Sequence, residues 1–340
     1  MTPATLKSVA KATGFSITTV SRALGGFDDV SEETRQRILE EARRQGYKPN
    51  EQARALQRRR SQTLGLIVPS TGPRFPDPFF SEFVSGVGTA ASAAGFDLLL
   101  STHTPLEDEL ETYRRMVAGR RVDGLILMRA RFADERIEYL SQTDMPFVVY
   151  GRTTSTDRYL YIDVDGVAGQ QAITRHFVDL GHRRIAYITP PGNLMFTHFR
   201  LQGFQQAMEN AGLPIDDELI IEGDLTERGG MALTRHLLSV PAPPTAILTG
   251  NDSMAFGAMS AIQEHGLQVG RDIAVGGFDD VPLAEHIRPS LTTMHQPIHE
   301  AGQRVTQIIL RKISGQTIDH SAALITPELM VRASSGPRRS

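Results

Sequence analysis

Cysteine and tryptophan are both missing from this 340-residue chain, and aromatic residues make up only 6% of it. Without cysteine there can be no disulfide framework and no cysteine-based metal site. No stretch approaches the roughly 20 apolar residues that span a bilayer, and the N-terminus lacks the basic segment and apolar run that direct secretion. The expectation is a cytoplasmic protein with no membrane segment. Charge of one sign is also scarce overall, at a formal net −3, but it is unevenly placed. Met1 to Arg60 holds 12 Lys and Arg against 7 Asp and Glu, leaving 24 against 32 in Ser61 to Ser340. The head of the chain is therefore the part suited to a polyanion, although a run such as Arg58-Arg59-Arg60 can equally be a solvated face.

That head reads as three short helices. Thr5 is a good N-cap ahead of Leu6, Val9 and Ala10, whose i, i+3, i+4 spacing marks one buried face. Gly14 ends the helix, since the turn that follows often needs φ > 0. Ser16 caps a second helix with Val20 and Leu24 inward, and Ser31 caps a third that runs through Ile38, Leu39 and Ala42 to Gly46. Two helices joined by a three-residue turn form a helix-turn-helix, whose second helix offers its first exposed side chains to the major groove. The side chains so placed are Ile17, Thr18 and Thr19, with Ser21 and Arg22 a turn further on. Thr can donate, accept or pack its methyl on thymine, and Arg can bind guanine or a phosphate. Ile17 stands out, because an exposed apolar residue at a helix start has no structural reason to be there.

Thr5 to Arg22, the "VSEETRQRILEEARRQGYKPN" that follows, and then "ARAL" and "LGLIVP" resemble the lactose-repressor (LacI/GalR) family of bacterial transcription regulators. The resemblance runs along essentially the whole chain. "NEQARALQ", Asn50 to Gln57, is too short for a stable isolated helix in water. The family resemblance implies that it is a hinge helix that orders on operator DNA and pairs with its twin, Leu56 wedging into the minor groove and Ala53 allowing the helices to pack. The expected DNA-contacting set is Thr5, Ser16, Ile17, Thr18, Thr19, Ser21, Arg22, Asn50, Ala53 and Leu56.

From Leu64 onward "LGLIV", "FDLLLS", "GLILM", "FVVYG", "RRIAYIT", "TAILTG" and "DIAVGGF" read as strands. Between them lie helices over Glu109 to Arg120, Gly166 to Leu180, Phe199 to Ala211 and Ser253 to His265. Such alternation predicts parallel sheets covered on both faces, here in two lobes. The resemblance implies an α/β periplasmic-binding-protein-like domain of two Rossmann-like lobes, the chain crossing between them near Ile162, Thr292 and Leu324. The expected divisions are a headpiece over 1–49, a hinge helix and linker over 50–62, and an effector-binding and dimerisation domain over 63–340. Its first lobe takes 63–161 and 292–323, its second 162–291 and 324–333.

Ligands of open α/β sheets sit beyond the C-terminal strand ends, which for two lobes means the cleft between them. Asp77, Phe79 and Phe80 follow the first strand. A flat aromatic beside a carboxylate suits a sugar, apolar on its face and hydroxylated at its rim. Arg152 follows "FVVY", and Asp163 and Asp165 follow "YLYI". By resemblance, Arg200, Asn251 and Asp279 grip the effector from the second lobe, and Gln296 lies in the pocket near a crossover. Asp252 and Asp280 are expected to cap the segments that follow them.

Other chemistries lack support. "GVGTAA" at Gly86 to Ala91 fits a dinucleotide fingerprint but falls inside a helix, and no P-loop or G-x-S-x-G elbow occurs. His295 and His299 have the spacing of helical metal ligands, yet Pro297 between them breaks the helix they would need. No cofactor is expected. Two function classes remain: an effector-controlled DNA-binding regulator, and a cytoplasmic sugar-binding protein or sugar enzyme carrying a helical appendage. "PDPFFSEFVSGVG", "VDGLILMRAR" and "VVYGRT" look most like regulators of α-glucoside uptake, implying a maltose-, trehalose- or sucrose-like effector and a repressor of a carbohydrate operon. A purine-responsive regulator of the same fold is the alternative, since some relatives stack a base on first-lobe Phe. A pseudo-palindromic operator requires a dimer, and the tail "VRASSGPRRS" has no leucine heptads to build a tetramer.

Overall fold

The computed structural model describes residues 4–25, 27–47, 60–69, 78–103, 108–156, 158–318 and 324–338. The expected hinge residues Asn50, Ala53 and Leu56, and Asp77 of the cleft, lie outside the described residues. The chain forms two compact units, Met1–Gln62 and Thr63–Ser340.

In the first unit, α1 (Leu6–Thr13), α2 (Ile17–Gly25) and α3 (Glu32–Arg44) enclose Val9, Ala10, Val20, Ala23, Ile38 and Ala42. Local chemistry sets their ends. Thr5 makes a full capping box with Ser8, each side chain satisfying the other's backbone N–H. Gly14 closes α1 at φ 76°, a left-handed conformation that costs glycine nothing. Ser16 Oγ accepts from the Thr19 N–H at 3.0 Å, and Ser31 caps α3. Leu39, expected inward, is only partly buried beside that core.

The second unit is built on two sheets. The first contains β1 (Thr63–Pro69), β2 (Asp97–His103), β3 (Gly124–Met128), β4 (Phe147–Tyr150), β5 (Leu160–Val164) and β11 (Leu324–Ile325), in the order β11-β5-β4-β3-β1-β2, with every pairing parallel. The second contains β6 (Ile185–Thr189), β7 (Ile220–Glu222), β8 (Ala246–Thr249), β9 (Ala274–Asp279), β10 (Thr292–His295) and β12 (Glu328–Met330), in the order β12-β10-β9-β8-β6-β7, with only β12 antiparallel. The central strands are buried along their length, as double-sided sheets require.

These sheets correct the expected lobe boundaries. β5 runs on past Ile162, where its ladder with β4 ends, because Asp163 and Val164 pair with Leu324 and Ile325 of β11, so the first crossing falls near Asp165. β10 pairs with β9 and belongs to the second lobe, which moves the next crossing to Gln296; β11 pairs with β5, so the last lies between Ile325 and Glu328.

Helices cover both sheets. On the first are α4 (Pro78–Ala93), α5 (Glu109–Ala118), α6 (Glu135–Ser141) and α12 (Ile298–Ile313); with the second go α7 (Gly166–Asp179), α8 (Met195–Asn210), α9 (Glu227–Ser239), α10 (Asp252–Glu264) and α11 (Leu283–His286). "GVGTAA" lies inside α4, and its Gly86 has a packing role: a Cβ there would run into the carbonyl of His299 on α12. Phe80, Phe83 and Val87 of α4 share one core with Ile298, Val305 and Ile309 of α12.

Candidate effector cleft and nucleic-acid interface

Each sheet reverses its winding once, between β1 and β3 in the first and between β6 and β8 in the second. The carboxyl ends of strands at such switch points are where open α/β sheets bind ligands. Here both lobes contribute to one cleft, its walls carrying Phe79, Tyr150, Arg152, Asp163, Phe196 and Phe199 alongside Arg200, Asn251, Asp279 and Gln296. The free volume of this cleft is about 70 Å³.

Strand and helix ends aim these groups. Arg200 projects from the first turns of α8, its guanidinium 3.6 Å from the ring centre of Phe278 and 4.8 Å from that of Phe196, with Nη1 donating to the Gly250 carbonyl. Stacking between two rings fixes the fork. Its Nε is buried without a partner. Gln296 Nε2 donates to Asp279 Oδ1 at 2.5 Å, both residues being almost fully buried. Asp279 and Asp280 end β9 at φ 132° and 60°, conformations non-glycine residues rarely adopt. Asp280 holds that turn by an ion pair with Arg332 at 2.7 Å and a contact with His295 Nδ1 at 3.0 Å. Strain so placed is a mark of a functional turn.

The first lobe supplies Phe79, Tyr150, Arg152 and Asp163. Arg152 stacks 4.2 Å from the ring centre of Phe199 and lies 3.1 Å from Asp163. Burial pushes the Asp163 carboxyl up to about 7, against the opposing pull of Arg152. Tyr150 Oη is buried without a partner, and burial raises that phenol too.

Several expectations are corrected. Phe80 is fully buried in the core of the first lobe, because neighbours on a helix point about 100° apart and Phe79 takes the cleft side. Asp165 caps α7 by accepting from the Ala168 N–H; the carboxylate in the cleft is Asp163, two residues earlier on β5. Asn251 is also the cap of α10, its Oδ1 accepting from Met254 N–H and its Nδ2 donating to Leu225, which leaves a second N–H for the cleft. Asp252 does not cap: buried, it accepts from Thr293 Oγ1 and Val281 N–H. Asp280 likewise serves in its contacts with Arg332 and His295. Tyr150 escaped the sequence reading, although it ends "FVVY" at a strand's carboxyl end. No group of three or more His, Asp or Glu suited to a metal occurs among the described residues.

The headpiece presents a different surface. Ile17 is 46% exposed at the start of α2, beside exposed Thr18 and Arg22. The side chains of Thr5 and Ser16 are engaged in caps, and the Thr19 hydroxyl lies 2.9 Å from Ser16 Oγ. Arg22 pairs with Asp29 at 2.7 Å and lies over the Phe27 ring. Ser21 is half-buried on the same helix.

A helix-turn-helix headpiece and a two-lobed domain closing on a cleft define a class: DNA-binding regulators that carry their own ligand-binding domain. Comparison with known proteins agrees. Residues 5–50 match the family model "Bacterial regulatory proteins, lacI family", and residues 174–335 match the model for a periplasmic binding protein-like domain. The HTH-type transcriptional regulator AglR of Rhizobium meliloti is 38% identical over 339 residues, covering 98% of this chain and 95% of AglR. A transcriptional regulator CelR–cellobiose complex superposes with a TM-score of 0.75 at 32% identity, covering 98% of this chain and 100% of CelR. The Lac repressor dimer bound to operator and the anti-inducer ONPF gives a TM-score of 0.85 at 28% identity, over 98% of this chain and 99% of that one. The chain belongs to the lacI family of bacterial regulatory proteins, and it is a DNA-binding transcription regulator. No helix among its described residues is long and apolar enough to cross a membrane.

Proposed function

We propose that this regulator is a cytoplasmic, homodimeric repressor of a carbohydrate operon, without enzymatic activity, and that its effector is a neutral sugar of the α-glucoside disaccharide class. The observation that carries the sugar reading is the set of buried polar atoms left without hydrogen bonds in the cleft: Tyr150 Oη, Arg152 Nη1 and Arg200 Nε. Buried polar atoms are nearly always hydrogen-bonded, so these three, on residues that all line the cleft and with Arg152 Nη1 held only by its ion pair to Asp163, suit a polyhydroxylated ligand. The rings of Phe79, Phe196 and Phe199 supply the apolar face a pyranose needs. Asp279, held by Gln296, accepts from vicinal hydroxyls, and Arg200 donates. The cellobiose of the related CelR complex is likewise a neutral disaccharide of glucose, though β-linked.

On the DNA side, Ile17, Thr18 and Arg22 meet base edges or phosphates in the major groove, and Leu56 wedges the minor groove from the hinge. Two such units on a dimer read a pseudo-palindrome. Ligand binding shifts a two-state equilibrium only as far as its affinities for the DNA-competent and DNA-incompetent states differ. Thermal-shift screening of glucose, maltose, trehalose, sucrose, adenine and guanine tests the ligand class, because a ligand that binds only the folded protein raises its melting temperature. A shift with a disaccharide supports the reading; shifts with a purine alone overturn it.

A further inference from the structure

A second chamber adjoins the cleft. Beyond Met128, Arg129 and Leu225, which line both spaces, lies a cavity of about 280 Å³ bounded by Glu109, Arg131 and Arg136 of the first lobe and Pro191, Asn193 and Asp224 of the second. Sites for drug-sized ligands typically offer about 300–1,000 Å³. The 70 Å³ of the main cleft falls far short of that, and the two spaces joined reach its lower end.

We propose that this second chamber is a glycosyl subsite, holding the second ring of a neutral disaccharide whose first ring is gripped by Arg200, Asn251 and Asp279. The inference rests on the sugar reading above and extends it to where the second ring goes and why two rings are favoured. One wall is built in advance. Glu109 bridges Arg131 and Arg136, and Arg136 also holds Asp134 at 2.7 Å and the Arg129 carbonyl at 2.9 Å. Asp134 in turn accepts from the Arg131 N–H, so residues 129–134 form a rigid loop. That loop is tied to the opposite lobe by backbone bonds from Met195 N–H to Ala130 and from Phe132 N–H to Asn193, which together form an antiparallel bridge between Arg131 and Leu194. A wall fixed by such bonds reads hydroxyl positions without first being ordered.

The groups at the chamber's rim suit hydroxyls. Asn193 and Asp224 are both exposed, so this part of the space opens to solvent, and the Asn193 amide can both donate and accept there. Asp224 spends Oδ1 on the N–H and hydroxyl of Thr226, at 2.9 and 2.7 Å, which leaves Oδ2 for the chamber. Arg131 and Arg136 are matched by Glu109 and Asp134, and Arg129 lies over the Phe80 ring with Asp224 across the chamber, so the lining favours a neutral polyol over an anion.

The test is calorimetric titration of the full chain with glucose, maltose, trehalose and sucrose, repeated for Asn193→Phe, which fills the chamber, and for Asp224→Asn, which keeps the bond to Thr226. At least one disaccharide should bind tenfold or more tighter than glucose. Asn193→Phe should weaken that disaccharide at least tenfold and Asp224→Asn at least threefold, with glucose affinity within threefold of the parent in both. If Asn193→Phe fails to fold, Asp224→Asn alone decides. Glucose binding as tightly as every disaccharide, or both ligands losing affinity equally in the variants, overturns the subsite and leaves the sugar reading standing. Failure of every sugar to bind overturns the sugar reading and the subsite with it.

Discussion

Arg152 lies 3.1 Å from Asp163 inside the cleft, yet its Nη1 makes no hydrogen bond there and the carboxyl is nonetheless pushed up to about 7. The ion pair is close but misaligned, and burial outweighs it.

A stability profile should show this. Asp163 titrates near 4 in the unfolded chain and near 7 in the folded one, so folding takes up a proton between those values. Its contribution therefore favours the fold at low pH and is lost as pH rises through about 7. The stability of Asp163→Asn relative to the parent should increase from pH 4 to pH 8 by on the order of 2–4 kcal/mol. Chemical denaturation across that range measures it; a pH-independent difference between the two proteins would count against a raised carboxyl.

Helix crossing in the first lobe gives a paired prediction. A Cβ on Gly86 meets the His299 carbonyl, whereas Gly88, on the same helix, has open space around it. Gly86→Ala should cost about 2 kcal/mol or more through overpacking, and Gly88→Ala should gain up to about 1 kcal/mol from helix propensity. Urea midpoints compare the two directly, and equal effects would refute the close-approach role of Gly86.

Arg22 is tied to Asp29 when DNA is absent, and DNA must take its place. Arg22→Ala should weaken operator binding by about 1–3 kcal/mol if it reads a base, with relaxed preference at one position. Asp29→Asn should strengthen binding a few-fold by releasing Arg22. Anisotropy titrations at one fixed salt concentration check both, and an unaltered affinity in Arg22→Ala would remove this residue from the interface.

Leu56→Ala should lower specific operator affinity while leaving sugar affinity intact, since the wedge acts only on DNA. Parallel DNA and sugar titrations read the split. Unchanged operator binding would refute the wedge.

Legibility in the sequence followed how local the physics was. Thr5, Gly14, Ser16 and Ser31 announced their helix ends because capping depends on residues within one turn. Arg200, Asn251 and Asp279 were named from the family resemblance rather than from local pattern, and all three line the cleft. One-residue choices were harder. Whether Phe79 or Phe80, and Asp163 or Asp165, faces the cleft depends on where a helix or strand ends relative to the sheet, and a shift of one or two residues exchanges them. The crossovers slipped for the same reason: β5 ends where β11 ends and β10 where β9 ends, and partners distant in sequence set that. The wall formed by Glu109, Asp134 and Arg136 left no sequence signal, since its members sit on α5, α6 and the loop between β3 and α6.

The central claim, that a sugar in this cleft controls DNA binding, is tested most directly by anisotropy of labelled DNA from the native upstream region. Purified full-length protein is titrated at constant salt with and without saturating maltose, trehalose or sucrose, and the series is repeated with Arg200→Ala. The account predicts that one sugar changes operator affinity about 5- to 150-fold, as typical coupling energies allow. Arg200→Ala should bind sugar-free operator normally and lose that response. Operator affinity that is the same with and without every sugar would contradict it.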